Sequence, residues 1–379
     1  MERIILSAAG VFLTVSAFGW LPPSRAADPQ LIYIPGTMAA VGDAAMPPGI
    51  EDQVRLTLEN LRSQLQAQGV GLERVVSVNV YLSDSRNFAA MNDVYQTFFR
   101  TDPPTRATVE ADLPRPDALV QISAVALRSG VSKEVITPQG MARPGLPYSW
   151  GIRAGSVLFI AGTTSRDPTT YEPVTGDVGT QTRRVLGNVG NVLRAAGMGY
   201  EDVVSCRVYL AEARDFRAMN EVYRTFFTSA PPARATVRSR LMNPAFNVEI
   251  QCVASDADDR RVVSVGEPSP NSPLSPGIAS GGRVFLSGML GRGPDGYSSN
   301  PAEQTRLTLE NLLETFQAAS LDFSNVVEAT VYVTDVRQAR AVMEEYGNSG
   351  PAASIPVTVV GSPLMSATAS VEISMTAVP

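Results

Sequence analysis

The sequence predicts an α+β protein built from three tandem copies of one small domain. Two observations carry that expectation. Near-identical segments recur at one constant offset, and each copy reads as strand, helix, strand, helix and a closing pair of strands. Met91-Asn-Asp-Val-Tyr-Gln-Thr-Phe-Phe99 returns 128 positions later as Met219-Asn-Glu-Val-Tyr-Arg-Thr-Phe-Phe227. The same offset links Pro103-Pro-Thr-Arg-Ala-Thr-Val109 to Pro231-Pro-Ala-Arg-Ala-Thr-Val237, and Val78-Asn-Val-Tyr-Leu82 to Cys206-Arg-Val-Tyr-Leu210. A third copy is fainter. Gln304-Thr-Arg-Leu-Thr-Leu-Glu-Asn-Leu312 echoes Gln53-Val-Arg-Leu-Thr-Leu-Glu-Asn-Leu61, and Ser370-Val-Glu-Ile373 echoes Asn247-Val-Glu-Ile250.

Each element follows from a local pattern. The first strands, Leu31–Pro35, Val157–Ala161 and Val284–Ser287, each end at a glycine: Gly36, Gly162 and Gly288. A helix comes next, because Val54, Leu58, Leu61 and Leu65 recur at helical spacing, as do Leu309, Leu312 and Phe316. The β-branched and aromatic runs Val75–Leu82, Val203–Leu210 and Val326–Val333 predict the second strand. Phe216, Met219, Tyr223 and Phe226 share one face of a second helix. Arg234–Arg240 and Asn247–Ala254, joined around Asn243-Pro244, read as a closing hairpin. The predicted domains are 28–128, 146–255 and 273–379, each a mixed sheet with two helices on one face. The intervening stretches, about Arg128 to Pro147 and Ser255 to Pro276, read as flexible surface linkers.

Composition narrows the chemistry. Hydrophobic residues at 44% and charged residues at 18% suit a globular chain rather than a disordered one. A formal net charge of −6 lacks the basic field that a nucleic-acid partner needs. The chain has no histidine, which removes a Ser-His-Asp triad and any His-based metal site; no metal or cofactor is expected. Residues 1–27 read as a signal peptide: Arg3, an apolar run from Ile4 to Leu21, then Ser24 and Ala26 at small-residue cleavage positions. The expectation is an exported chain, periplasmic or secreted, with no membrane contact once cleaved; a retained anchor is the alternative. Cys206 and Cys252 alternate with apolar neighbours and read as buried thiols, although an exported location would permit a disulfide between them.

With these motifs in view, the chain resembles the Rid family of enamine/imine deaminases, RidA or YjgF-like, three times over. The marks are the Asn-x-x-Tyr-x-x-Phe-Phe helix, the Pro-x-Arg-x-x-Val strand start and the Val-Glu-Ile strand. The resemblance implies a chorismate-mutase-like fold and trimers with a ligand cleft at each interface. Three fused copies would then form an intramolecular pseudo-trimer from one monomeric chain. It implies hydrolysis of 2-imino or 2-enamino acids to 2-keto acids and ammonia. The substrate carboxylate would be gripped by Arg106 and Arg234, and the attacking water held by Glu249. Tyr148, Asn92, Asn220, Thr108, Thr236 and, from the third copy, Ser287 would line the clefts. A guanidinium suits the grip because its rigid fork pairs two oxygens and keeps its charge.

The copies depart from that pattern. Gln121 stands in copy 1 where copy 2 has Glu249; an amide can hold a water but cannot take its proton. Copy 3 places Ser354 near the arginine position, Met343-Glu-Glu-Tyr346 over the asparagine motif, and Leu274 at the position of Tyr148. Measured from Ser354, its closing hairpin is three residues longer. Copy 2 therefore reads as the full set, with Arg234 and Glu249 in a site completed by residues of another copy, copy 1 as a binding site in doubt for catalysis, and copy 3 as a degenerate structural copy. A non-catalytic carboxylate-binding or structural protein is the alternative, and a ribonuclease fits the acidic charge least.

Overall fold

The computed structural model describes residues 28–379 except 41, 43, 268 and 350–354. The signal-peptide segment and Ser354 lie outside the described residues. The first repeat runs β1 (Leu31–Thr37), α1 (Ile50–Ala67), β2 (Val75–Leu82), α2 (Phe88–Phe98), β3 (Thr105–Glu110) and β4 (Val120–Leu127). The second runs β5 (Glu134–Ile136), β6 (Gly151–Ala154), β7 (Val157–Ile160), β8 (Thr163–Thr164), α3 (Val178–Ala195), β9 (Val203–Leu210), α4 (Phe216–Phe226), β10 (Ala233–Arg238) and β11 (Val248–Ser255). The third runs β12 (Arg261–Val263), β13 (Gly277–Ser280), β14 (Arg283–Leu286), β15 (Met289–Leu290), β16 (Arg292–Gly293) and β17 (Gly296–Tyr297). It continues through α5 (Pro301–Gln317), β18 (Val326–Val333), α6 (Ala339–Ser349), β19 (Val357–Gly361) and β20 (Val371–Ala377).

The helical stripes do what their spacing requires. Val54, Leu58, Leu61 and Leu65 are fully buried against the first sheet, as Leu309, Leu312 and Phe316 are against the third. Each such side chain contributes about 1.5–3 kcal/mol by leaving water. A buried glutamine pins each first helix to the loop before the last strand. In the second repeat Gln181 Nε2 donates to the Ala245 carbonyl (2.9 Å) and its Oε1 accepts from the Asn247 N–H (2.8 Å). Gln53 and Gln304 repeat the clamp.

Two expectations fail. The closing strands do not form a hairpin. β3 pairs parallel to β2, and β4 pairs antiparallel to the other edge of β2; the later repeats do the same. A parallel pair needs a crossover, and α2, α4 and α6 provide it. The chain between the closing strands is instead spent on contacts between repeats. Leu113, Leu241 and Leu364 of these loops are buried in one shared core with Tyr81, Tyr209 and Tyr332. The stretches between repeats are also not free linkers, because β5 pairs with β6 and β12 with β13, each extending the sheet of the following repeat.

The repeats touch in a closed sequence. Val109 bridges to Leu241, Val237 to Leu364, and Gly361 back to Asp112. The Glu110 N–H donates to the Arg240 carbonyl and the Arg238 N–H to the Pro363 carbonyl, both at 2.9 Å. At the third junction the Gly361 N–H donates to the Asp112 carbonyl (2.8 Å). Cys206 and Cys252 are direct cross-strand partners in β9 and β11 and are joined as a disulfide, not held as thiols. Both are buried, so the bond ties the centre of the second sheet.

Candidate functional site

β3 and β10 place alternate residues on opposite faces. Ala107 and Val109, like Ala235 and Val237, enter the shared core. Arg106 and Thr108, like Arg234 and Thr236, point to the helix side and are buried. Arg106 Nη2 donates to Asn92 Oδ1 and Arg234 Nη2 to Asn220 Oδ1, each at 2.7 Å. Asn92 is itself held, its Nδ2 donating to the Phe88 carbonyl (2.8 Å). Aromatic rings flank both cations. Arg106 Cζ lies 4.8 Å from the Tyr95 ring and 6.0 Å from Phe88, and Arg234 Cζ lies 4.6 Å from Tyr223 and 5.9 Å from Phe216. Burial pulls both guanidinium pKa values below the ordinary one. Arg106 Nη1, and Arg234 Nε and Nη1, have no hydrogen-bond partner. Buried donors on a cation are costly to leave unspent, and an anion entering either site would satisfy them.

The carboxyl that faces each arginine comes from the next repeat. Glu249 sits beside Tyr209 in register, on the sheet face opposite Val248, Ile250 and Cys252, which fill the second repeat's own core. Arg234 is in register with Cys206 and lies on the other face. Arg234 and Glu249 therefore cannot share a site, contrary to the expectation from the sequence. Glu249 meets Arg106 instead. The Gly162 N–H donates to the Arg106 carbonyl (3.0 Å), and a Cβ at Gly162 would collide with Glu249 Oε1. Glu372 of the third repeat meets Arg234 in the same way. The Gly288 N–H donates to the Arg234 carbonyl (3.1 Å), and Gly288 is the glycine against which Glu372 lies. Each terminal glycine of a first strand thus leaves the room its carboxyl needs.

Burial pushes Glu249 and Glu372 up to about 8. A backbone hydrogen bond from Thr108 and the charge of Arg106 oppose this for Glu249, and Thr236 and Arg234 oppose it for Glu372. The hydroxyls of Thr108 and Thr236 are buried without a partner beside them.

The remaining predicted residues sort by cleft. Tyr148 belongs with Arg106, not Arg234: its ring lies 6.0 Å from Arg106 Cζ. Its hydroxyl is 2.6 Å from that of Tyr171, a residue the sequence reading missed. Tyr171 has a left-handed φ of 67°, a strained state for a residue with a side chain, held here by packing on Trp150 and Arg166. Ser287 does reach the Arg234 cleft from the third repeat. Its Oγ accepts from the Arg234 backbone N–H (2.8 Å) and donates to the Ser275 carbonyl (2.6 Å), so the hydroxyl is spent on holding the two repeats together.

The third junction carries neither group. Gln121 lies over Gly36, whose N–H donates to Thr358 Oγ1 (3.0 Å). Strand register puts Val357 opposite Ala329, as Arg234 is opposite Cys206. Val357, not Ser354, occupies the arginine position, and its distance along the chain to Glu372 equals that from Arg234 to Glu249. The third closing segment is therefore not longer than the others.

Comparison with known proteins agrees with this architecture. The sequence matches the family described as Endoribonuclease L-PSP over residues 24–128, 141–256 and 265–379. A RutC family protein of Pyrococcus horikoshii is 43% identical over 122 residues, covering 32% of this chain and 97% of the relative. The mouse protein named 2-iminobutanoate/2-iminopropanoate deaminase is 33% identical over 128 residues, covering 34% of this chain and 94% of its own length. The chloroplastic Reactive Intermediate Deaminase A of Arabidopsis thaliana is 29% identical over 198 residues, 52% of this chain and 89% of the relative. A chorismatase crystal structure covers 80% of this chain and 93% of its own, with a TM-score of 0.56 at 14% identity, a likeness of fold.

Proposed function

Because the chain belongs to the Endoribonuclease L-PSP family through all three of its repeats, we propose that it acts as its own pseudo-trimer. In this reading it hydrolyses reactive 2-imino and 2-enamino acids to 2-keto acids and ammonia in two clefts, one at Arg106 and one at Arg234. The observation that carries the reading is a buried guanidinium with unspent donors facing a buried carboxyl from the next repeat, twice in one chain. Relatives named as imine deaminases support the reaction class.

The chemistry follows from the groups. The guanidinium takes the substrate carboxylate and fixes the imine carbon near the carboxyl. A carboxyl pushed up to about 8 is largely protonated at neutral pH but close enough to its midpoint to exchange protons in both directions. In its ionised form it takes a proton from water as the oxygen adds to the C=N carbon. With the imine nitrogen protonated at the outset, the carboxyl then returns that proton to the carbinolamine nitrogen and, as the C–N bond breaks, takes the proton of the hydroxyl, leaving a carbonyl and ammonia. The family takes its name from an endoribonuclease, but the net charge of −6 offers no general attraction for a polyanion.

The test is ammonia release from imines generated in place by an amino-acid oxidase. Wild type should accelerate release, and the Arg106→Ala/Arg234→Ala double variant should fall to the uncatalysed rate. A wild-type rate no faster than that double variant would overturn the proposal. Calorimetric binding of 2-keto acids without turnover would make the clefts carboxylate receptors instead.

A further inference from the structure

The two arginine clefts differ at their mouths. Over Arg106, Tyr148 and Tyr171 join hydroxyls, and Tyr148 packs edge-on against Trp150 with ring centres 5.7 Å apart. In the Arg234 cleft Leu274 replaces Tyr148. A groove of about 340 Å³ opens there, lined by Arg224, Phe227, Pro231, Leu274 and Ser275 among others. The groove meets the site through Ser275, whose carbonyl accepts from the same Ser287 hydroxyl that binds the Arg234 backbone.

Arg224 stands one helical turn beyond Asn220, the residue that holds Arg234 Nη2. Residues four apart share a helix face, with Cβ atoms about 5–6 Å apart. The positive charge of Arg224 is felt at Arg234, and Arg224 has no ion-pair partner among the described residues. The matching position of the first repeat is Gln96, which is uncharged. Two neighbouring guanidinium groups repel each other, and a ligand with two separated negative charges relieves both.

Building on the deaminase reading above, we propose that the Arg234 cleft is specific for dicarboxylic 2-imino acids. The α-carboxylate goes to Arg234 and the distal carboxylate to Arg224. The Arg106 cleft is closed over by two tyrosines, and its neighbouring cation, Arg166, is engaged in stacking on Tyr171 and Phe246 and in donating to the Tyr171 carbonyl (2.8 Å), so this cleft takes 2-imino acids with uncharged side chains.

Calorimetry with two stable 2-oxo acids tests this: 2-oxoglutarate as the dicarboxylate and 2-oxo-4-methylpentanoate as the monocarboxylate. Arg106→Ala leaves only the Arg234 cleft, and this variant should favour the dicarboxylate. Adding Arg224→Gln should lower the dicarboxylate-to-monocarboxylate affinity ratio about fivefold, the scale of one solvent-exposed ion pair. Arg234→Ala should show the opposite preference. Arg224 is exposed, so its replacement leaves the core intact. A ratio unmoved by Arg224→Gln, with both ligands still bound, overturns this specificity alone. Failure of the wild-type chain to bind either acid overturns the deaminase reading and this inference with it.

Discussion

The junction between the third and first repeats and the two arginine clefts share one backbone plan but use buried charge in opposite ways. In the clefts, Arg106 and Arg234 are buried with donors unspent. At the third junction the arginine and glutamate positions hold Val357 and Gln121, and the buried charge lies elsewhere, on Asp28 and Arg283. Arg283 Nε donates to Asp28 Oδ2 (2.6 Å) and Nη2 to Oδ1 (2.9 Å), with side chains 3% and 0% exposed. The same carboxylate accepts from the N–H groups of Gln30 and Leu31. One junction completes its charge internally and becomes a fastener. At the other two the cleft arginines keep donors unspent, even where the Arg207–Glu328 pair also joins the second and third repeats; unspent buried donors cost stability and leave room for an anion.

The greatest loss of activity depends on which residues share a cleft. If each site is built across repeats, Glu249→Gln belongs with Arg106→Ala. That pair should lose no more activity than Arg106→Ala alone, because the Arg234 and Glu372 cleft is untouched. Arg234→Ala with Glu249→Gln should instead disable both clefts and lower turnover about a thousandfold. The reverse pattern would restore the pairing of Arg234 with Glu249 expected from the sequence.

The fastener comes next in size. Asp28→Ala leaves the Arg283 guanidinium buried without an anionic partner, with the Gln30 side chain, the Gly281 carbonyl and the neutral Tyr33 hydroxyl beside it. Breaking a buried pair from one side should destabilise the chain by about 3 kcal/mol in urea unfolding. A loss below about 1 kcal/mol would mean that the first and third repeats are held together by their apolar contacts and backbone hydrogen bonds rather than by this ion pair.

Much of this contrast was legible in the sequence, and the part that was not has a physical reason. The three central strands run over the residues that β-branched content marked, because those runs are buried whichever partner they find. Arg106 and Arg234 were legible as a repeated strand start. Their partners were not, because pairing Arg234 with Glu372 rather than Glu249 depends on which sheet face each side chain leaves by. Strand alternation in Val-Glu-Ile takes both Glu249 and Glu372 off the apolar face, but Glu372 lies in the copy that reads as structural. The arginine position of the third repeat was misplaced by three residues because only strand register, not motif, marks Val357. Tyr171 belongs to no repeated motif and carries no local signal at all.

The smallest effect separates the clefts from the fastener by pH. Glu249 and Glu372 titrate near 8 in the folded chain, against an ordinary value near 4.5. Between those values the folded chain binds more protons than the unfolded one, so stability falls as pH rises through the window and levels off above about 8. Replacing both by glutamine removes the two ionisations. The Glu249→Gln/Glu372→Gln variant should therefore lose less thermal stability than wild type between pH 5 and pH 9, by several °C in Tm. The neighbouring arginines temper the effect, since each ionised carboxylate gains a cation partner, and this is why the shift should be modest. A bound 2-keto acid occupies that cation and should steepen the wild-type decline, because the carboxyl would then ionise beside a second anion. Parallel pH curves for wild type and variant would show that the two acids are solvated rather than enclosed, and the incomplete buried charge that sets the clefts apart from the third junction would be lost as a distinction.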